Sequence, residues 1–345
     1  MSYQLREKFC MVCFIFSDLP KKNRFHAHLW AVLFSLVLGW LPQPVAAQND
    51  NSEPALVMLV GYAPGGLLDR LARVIAKSLK QTLGQPVVIR NIVGAGGTRA
   101  AQFAMDAKAS APTLLIADSS LLVSNLAKPD LTPDLAVYPA IGSVGYTPLV
   151  IAVSTRSPWH TLTELTTALR QQPGKYDFGT PGVRTIHQLT VDVWLQRAGL
   201  MAEHVPYQGG SQMLIDLIEH RIAFGVLSLS LAQDHAKAQH LRLLAVTSSG
   251  RLRQFPEVPT LTETVPGVHS VSTAYLMASP QTSPAFLQRL RSAWQQVTVD
   301  PVLRQEIEGL GMTPDMLDDL GTQRKIQQEK RQWSRVVVKD VFLDP

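Results

Sequence analysis

Among the residues able to do chemistry, two glycine pairs come first. Gly65-Gly66 and Gly96-Gly97 each follow an apolar run and each precede a helical pattern. Glycine at a strand-to-helix turn lets a ligand oxygen approach the unpaired N–H groups of the helix's first turn, where the dipole carries about half a positive charge. In a parallel sheet, consecutive turns of this kind fall at one edge. The two pairs are therefore expected to converge on one anion, most economically a carboxylate. A single pair reads as a tight turn; two pairs in consecutive strand–helix units read as a site. Tyr62, Pro64 and Asp69 flank the first pair, Asn91 precedes the second, and Ser119 ends the next strand.

A comparable turn recurs further on, in "GTPGVRTIHQL" (residues 179–189). Thr180, Gly182 and Thr185 offer hydroxyls and N–H groups ahead of a helix that starts near His187, able to grip the far end of a two-ended acid. Arg184 could form a charge-assisted pair with a carboxylate, or be solvated. His187 could donate to the same acid, although a lone histidine in a first turn more often caps or packs. Tyr207, in "VPYQGG", can line a wall.

Catalytic readings find less support. "GAGGTR" has Arg99 where GxGxxG needs its third glycine, and "APGGLLDR" lacks the Lys-Ser/Thr of a phosphate-binding loop. "GGSQM" ends in Met213, so it is no nucleophile elbow. His187 and Asp69 are the tempting acid–base candidates near the turns, without a Ser-His-Asp order, a HExxH spacing or a cysteine nucleophile to support them. A binding protein is expected, with no cofactor and no metal. An enzyme acting on an organic acid is the weaker alternative.

The elements that must hold these turns alternate. "ALVMLVGY" reads as a buried strand, and Leu67, Leu68, Leu71, Val74, Ile75 and Leu79 recur at helical spacing. "PVVIRN" and "TLLIADSS" read as strands around the helix "TRAAQFAMDAK". After the extended stretch "LAVYPAIGSVGYTPLVIAVST", the alternation restarts through "YDFGTP", "EHVPYQ" and "AFGVLSL". It ends in "SVSTAYLMASP" and helices near 284–297, 299–310 and 317–337. This is an α/β chain with right-handed crossovers. Two lobes are expected, each a mixed sheet flanked by helices, with the cleft between them as ligand crevice. Residues 54–152 plus 250–345 read as lobe one and 153–249 as lobe two. "LVIAVST" carries the chain out and "LLAVTSS" carries it back.

The chain has 345 residues, of which 46% are hydrophobic, enough for two sizeable cores. Its net charge of +5 owes much to residues 1–47, which hold five Lys/Arg and two acids; the remainder has 27 basic and 25 acidic residues. That balance gives no footprint for nucleic acid. Residues 1–47 read as a signal peptide. "KKNR" is the basic n-region, "LWAVLFSLVLGWL" an apolar run of 13, and "VAA" a cleavage site ending at Ala47. The run is short of the about 20 residues of a spanning helix. Residues 1–20 are unusual ahead of such a leader and fit a translation start set too early. Cys10 and Cys13 lie inside it, so the exported, periplasmic chain would carry no cysteine, which suits an oxidising compartment.

Taken in order, "APGGLLDRLAR", "LGQPVVIRNIVGAGG", "GTPGVRTIHQL", "VPYQGGSQMLIDLI", "LRLLAVTSSGRLRQFPEVPTLTE" and "SPQTSPAFLQRL" resemble the extracytoplasmic solute receptors of tripartite tricarboxylate transporters, the Bug receptors, over roughly residues 54–315. The resemblance implies a type II periplasmic binding protein-like fold that closes on a small carboxylate, with two membrane subunits as transport partners. By position, the ligand loops would be 62–69, 91–97 and 180–187. A sensory receptor for a membrane kinase is an alternative within the same resemblance, and a monomer is the default. The sequence departs from the family pattern at Leu67, at "SAP" (residues 110–112), at Arg184, at Leu227 where an acid is frequent, and at Ala274 and Tyr275. An acid lost and an arginine gained predict a more positive cleft, taking a di- or polyanion without an ammonium group.

Overall fold

The computed structural model describes residues 54–337; the leader and both cysteines lie outside the described residues. Period-two burial sets the architecture. In β1 (Leu56–Val60), Leu56, Met58 and Val60 face one core and Leu59 the other. β3 (Thr113–Asp118) splits the same way, Leu114 and Ile116 against Leu115 and Ala117. So does β9 (Val271–Ala278), Leu276 against Tyr275 and Met277. Strands buried on both faces must sit between two layers of helices.

The first sheet runs β2 (Val87–Asn91), β1, β3, β9, β4 (Ala140–Ser154), with β10 (Thr313–Leu317) also on β4. β1 pairs parallel to β2 and β3, while β9, β4 and β10 join antiparallel. One face is covered by α1 (Leu67–Leu83), α9 (Pro284–Thr298) and α10 (Pro301–Gly309). The other is covered by α2 (Thr98–Met105), α3 (Ser119–Ala127) and α11 (Asp319–Val337).

β4 then changes partners. Up to Pro148 it pairs with β9; from Leu149 it pairs with β7 (Phe224–Ser228) and β8 (Leu241–Val246). β7 continues parallel to β5 (Asp177–Thr180), and β5 parallel to β6 (Glu203–Pro206). Around this second sheet lie α4 (Leu162–Gln171), α5 (Ile186–Ala198), α6 (Gly210–Ile218), α7 (Leu229–Lys237) and the short α8 (Leu261–Thr264). Leu149, Ile151 and Val153 of β4 enter one core of this half, and Val150 and Ala152 the other. Leu261, Val265 and Val268 also pack with the second half before β9 returns the chain to the first sheet.

Several elements are not marked by the sequence pattern, α3 and β10 among them. In α3 the residues from Ser119 to Asn125 are all buried, so there is no polar face to give a 3.6 period. β10 is a short edge strand carrying Pro314, a residue without a ladder donor.

Close packing at Gly142 locks the C-terminal part onto β4. A Cβ there would lie 1.9 Å from Nε1 of the buried Trp294, whose Nε1 donates to the Leu317 carbonyl at 2.9 Å. Gly142→Ala is expected to lower unfolding free energy by about 2 kcal/mol or more, since overpacking and a lost buried hydrogen bond combine. Urea denaturation checks this; an unchanged midpoint would show that Trp294 can move aside freely.

Candidate functional site

The end of β1 meets the second glycine turn directly. A Cβ on Gly61 would stand 2.5 Å from the Gly97 Cα, so the backbones touch there. Tyr62 follows, buried; its hydroxyl lies 3.3 Å from the Gly96 carbonyl and 3.4 Å from Asp118 Oδ1. Burial, then the Asp118 charge, push the phenol well above its ordinary pKa.

The first turn is held by its own side chains. Gly65 has φ +82° and donates its N–H to Asp69 Oδ2 at 2.9 Å. Buried Asp69 also takes both arms of Arg73, each at 3.0 Å, and the amide of Asn91 at 3.0 Å. The Asn91 amide further donates to the Tyr62 carbonyl. Burial alone would raise the Asp69 pKa; the bonds from Arg73, Gly65 and Asn91 outweigh it and hold the carboxyl below its ordinary range. Asp69 and Asn91 therefore shape the turn from behind. Gly66 caps α1 with no side-chain hydrogen bond, which leaves first-turn amides without a side-chain partner where Gly66, Leu67 and Leu68 line the cavity described below. Pro64 is exposed.

The second turn, Gly94–Gly97, has four successive positive φ values, including +49° at Ala95. It presses on the other half: a Cβ on Gly96 would lie 2.9 Å from the Val183 carbonyl and 3.1 Å from Thr185 Cγ2. That partner loop is also self-satisfied. Thr180 Oγ1 donates to the Gly182 carbonyl and lies 2.6 Å from His204 Nε2, and Thr185 caps α5 through Gln188 N–H. Arg184 sits at φ +54°, with its N–H on Gln188 Oε1 and its carbonyl accepting from Ser124 Oγ at 2.8 Å. Further bonds join the halves, from Arg70 Nη2 to the Ser230 carbonyl and from Ala63 N–H to the Gln208 carbonyl.

Between the halves lies a cavity of about 40 Å³. Tyr62, Gly66 and His187, all expected from sequence, line it. Its walls also include Leu67, Leu68, Pro181, Leu227 and Leu231, which are apolar, and Asp118, Ser228 and Ser272, which are polar. A void of about 10 Å³ on the other side of Tyr62 and Asp118 is lined by Gly61, Gly96 and Gly97. The two glycine turns are adjacent, but they border different hollows. Asn91, Asp69, Gly65, Thr180, Gly182, Arg184 and Thr185 do not border the cavity. Tyr207 turns its hydroxyl to Asp216, and Ser119 donates to Glu329 Oε2 on α11. Larger hollows of about 220, 650 and 770 Å³ open elsewhere on the surface; none is lined by a glycine turn, so the small cavity is the candidate site.

Two corrections to the sequence reading follow. The positive cleft expected from Arg184 is replaced by a wall with no lysine or arginine among the described residues, because it is the Arg184 backbone that is pinned at the seam. Asp118 was missed as a site residue. Its signal was an aspartate at the end of a fully buried strand, where a charge is costly. Burial pushes its carboxyl up to about 6, against bonds from Ser120, Ser272 and Tyr62. His187 is 4% exposed; its Nε2 is 3.4 Å from Ser228 Oγ, its Nδ1 has no partner, and burial pushes its pKa down to about 3. Among the described residues no group of three or more His, Cys, Asp or Glu could hold a metal.

The family model for the tripartite tricarboxylate transporter family receptor matches residues 71–341. The chain belongs to this family. A UPF0065 protein of Bordetella bronchiseptica is 32% identical over 283 residues, covering 81% of this chain and 84% of that protein. BugT of Bordetella pertussis is 28% identical over 301 residues, covering 85% and 90%. Among solved structures, R. palustris Rpa4515 with adipate is 24% identical with a TM-score of 0.78, covering 84% of this chain and 98% of that one, and shares the fold. The protein is thus a solute-binding receptor of the Bug type, with the two-lobed periplasmic binding protein fold, and not an enzyme. The family is extracytoplasmic, and no helix among the described residues is long and apolar enough to cross a membrane.

His187 and Asp118 give opposite pH signatures. His187 is held neutral in the fold, so its contribution is full above 6.5 and is lost as pH falls towards 3. Asp118 binds its proton more tightly in the fold, so its contribution is full below 3.8 and is lost as pH rises through 6. His187→Gln is expected to lose less stability than wild type between pH 6.5 and 4, and Asp118→Asn more. Thermal melts across that range check both; parallel curves would mean that neither group is buried as described.

Proposed function

We propose that this receptor captures a small organic carboxylate between its two halves and presents it to the membrane subunits of a tripartite tricarboxylate-type transporter. One observation carries the reading. Gly66, Leu67 and Leu68 at the uncapped start of α1, and buried His187, whose Nδ1 has no partner, line the same cavity from opposite halves. A helix start and an imidazole beside one cavity suit a carboxylate. The adipate held by Rpa4515, on the same fold, supports this chemistry.

In this reading residues 54–152 plus 250–345 form lobe one and 153–249 lobe two, hinged at β4 and at the return into β9, with Leu261, Val265 and Val268 packing across onto lobe two. Residues 1–47 act as the export leader, cut near Ala47, and the released chain works in the periplasm as a monomer. The open form holds the carboxylate on the α1 amides beside Tyr62. Closure adds His187 and Ser228, brings Thr180, Gly182, Thr185 and the Arg184 backbone against the second glycine turn, and expels water. The ligand stabilises closure only by what it gains from both halves.

Calorimetry of the purified chain with three- to six-carbon carboxylates tests the reading. Saturable binding without loss of the acid is expected, and a panel in which none binds sinks it. His187→Leu removes one anchor while also removing an unsatisfied buried nitrogen. The dissociation constant should rise roughly tenfold, with the melting temperature of the empty protein unchanged or higher. Unaltered affinity would place the ligand away from His187.

A further inference from the structure

Asp118 is 5% exposed and borders both hollows, so it lies between them at the floor of the site. Its carboxylate takes four hydrogen bonds: from Ser120 N–H and Tyr62 Oη at Oδ1, and from Ser120 Oγ and Ser272 Oγ at Oδ2. None of these donors is charged. They dress the carboxylate as an anion but supply no counter-charge. The other titratable side chains of the cavity wall, Tyr62 and His187, are both held neutral by burial. The rest of the wall is apolar or carries hydroxyls.

We propose that Asp118 is the specificity-determining residue of the cavity, and that the solute is a small zwitterion with one carboxylate and one ammonium group rather than a dicarboxylate. This rests on the receptor reading above and sharpens it. A second carboxylate would put two like charges beside a buried carboxylate site with no cation between them, which low dielectric makes costly. An ammonium group placed against Asp118 and Ser272 removes that conflict and supplies the missing counter-charge. The polarity of the cavity fits such a ligand. Its anionic end belongs at the α1 start and His187, and its cationic end at Asp118. Leu67, Leu68, Leu227 and Leu231 then cover the methylenes between.

The test is calorimetry of the full chain with matched probes: 3-aminopropanoate to 6-aminohexanoate against the dicarboxylates and simple monocarboxylates of equal length. The wild-type protein is expected to bind one of the amino acids roughly tenfold or more tightly than its dicarboxylate and monocarboxylate partners. Asp118→Asn should abolish that preference and improve dicarboxylate binding. The wild-type comparison stands whatever the variant does, and a melting curve shows whether the variant is folded. Dicarboxylates binding wild type as tightly as the amino acids, or a folded Asp118→Asn that keeps the preference, overturns the proposal while leaving the receptor reading intact. If no probe of any class binds, both fall together.

Discussion

One strand serves two sheets, and the rest of the molecule is arranged by that constraint. β4 pairs with β9 as far as Pro148 and with β7 and β8 from Leu149 on. A residue without an N–H sits where the partners change, so no ladder bond is broken by the switch. Because the strand is continuous, one backbone segment runs through both sheets. The strand-to-helix turns of one sheet then face those of the other. Thr247 completes the seam: its N–H donates to the Leu149 carbonyl, and its carbonyl accepts from Ser270 N–H.

The seam also concentrates polar groups that would be costly alone. Glu329 of α11 is half-buried beside the start of α3, accepting from Ser119 Oγ and Thr273 Oγ1 at 2.8 and 2.6 Å. Thr273 N–H returns a bond to Ser119 Oγ at 3.0 Å. This network ties the C-terminal helix to the residue next to Asp118. It explains how a chain end more than 200 residues away fixes the floor of the site. Two acids bonded around consecutive residues, each with its own set of hydroxyl donors, resist movement because any shift leaves a donor or acceptor unpaired. The cavity floor is therefore rigid, and adjustment to a ligand belongs to the opposite wall, where His187 makes one long contact to Ser228.

The elements most legible in the sequence were those with a clean period. β1 and α1 show the two expected spacings, and the glycine pairs sit where their turns are. Less legible was everything decided by distance along the chain. That Gly96 meets Val183, or that the Arg184 carbonyl rather than its guanidinium reaches Ser124, depends on how the halves meet. A residue type announces its side chain, but here the backbone does the contacting. Asp118 was overlooked for a related reason: in "TLLIADSS" it reads as part of a strand, whereas it caps the unmarked helix α3, with Ser120 N–H on its Oδ1. The cap and the site share one carboxylate.

The first glycine turn shows why self-satisfaction and binding are compatible. Asp69 consumes the Gly65 N–H, which subtracts one donor from any ligand. In exchange the turn is fixed by five bonds, from Gly65, both arms of Arg73, and Asn91 to Asp69, and from Asn91 to the Tyr62 carbonyl. A turn held this way loses little conformational freedom when an anion arrives, so the α1 amides beyond it are already oriented. The second turn does a different job. Its glycines let two backbones touch, at Gly61 and at the Val183 carbonyl, and so bring the halves close enough to enclose the cavity. The same residue type thus presents donors in one turn and sets the approach distance in the next.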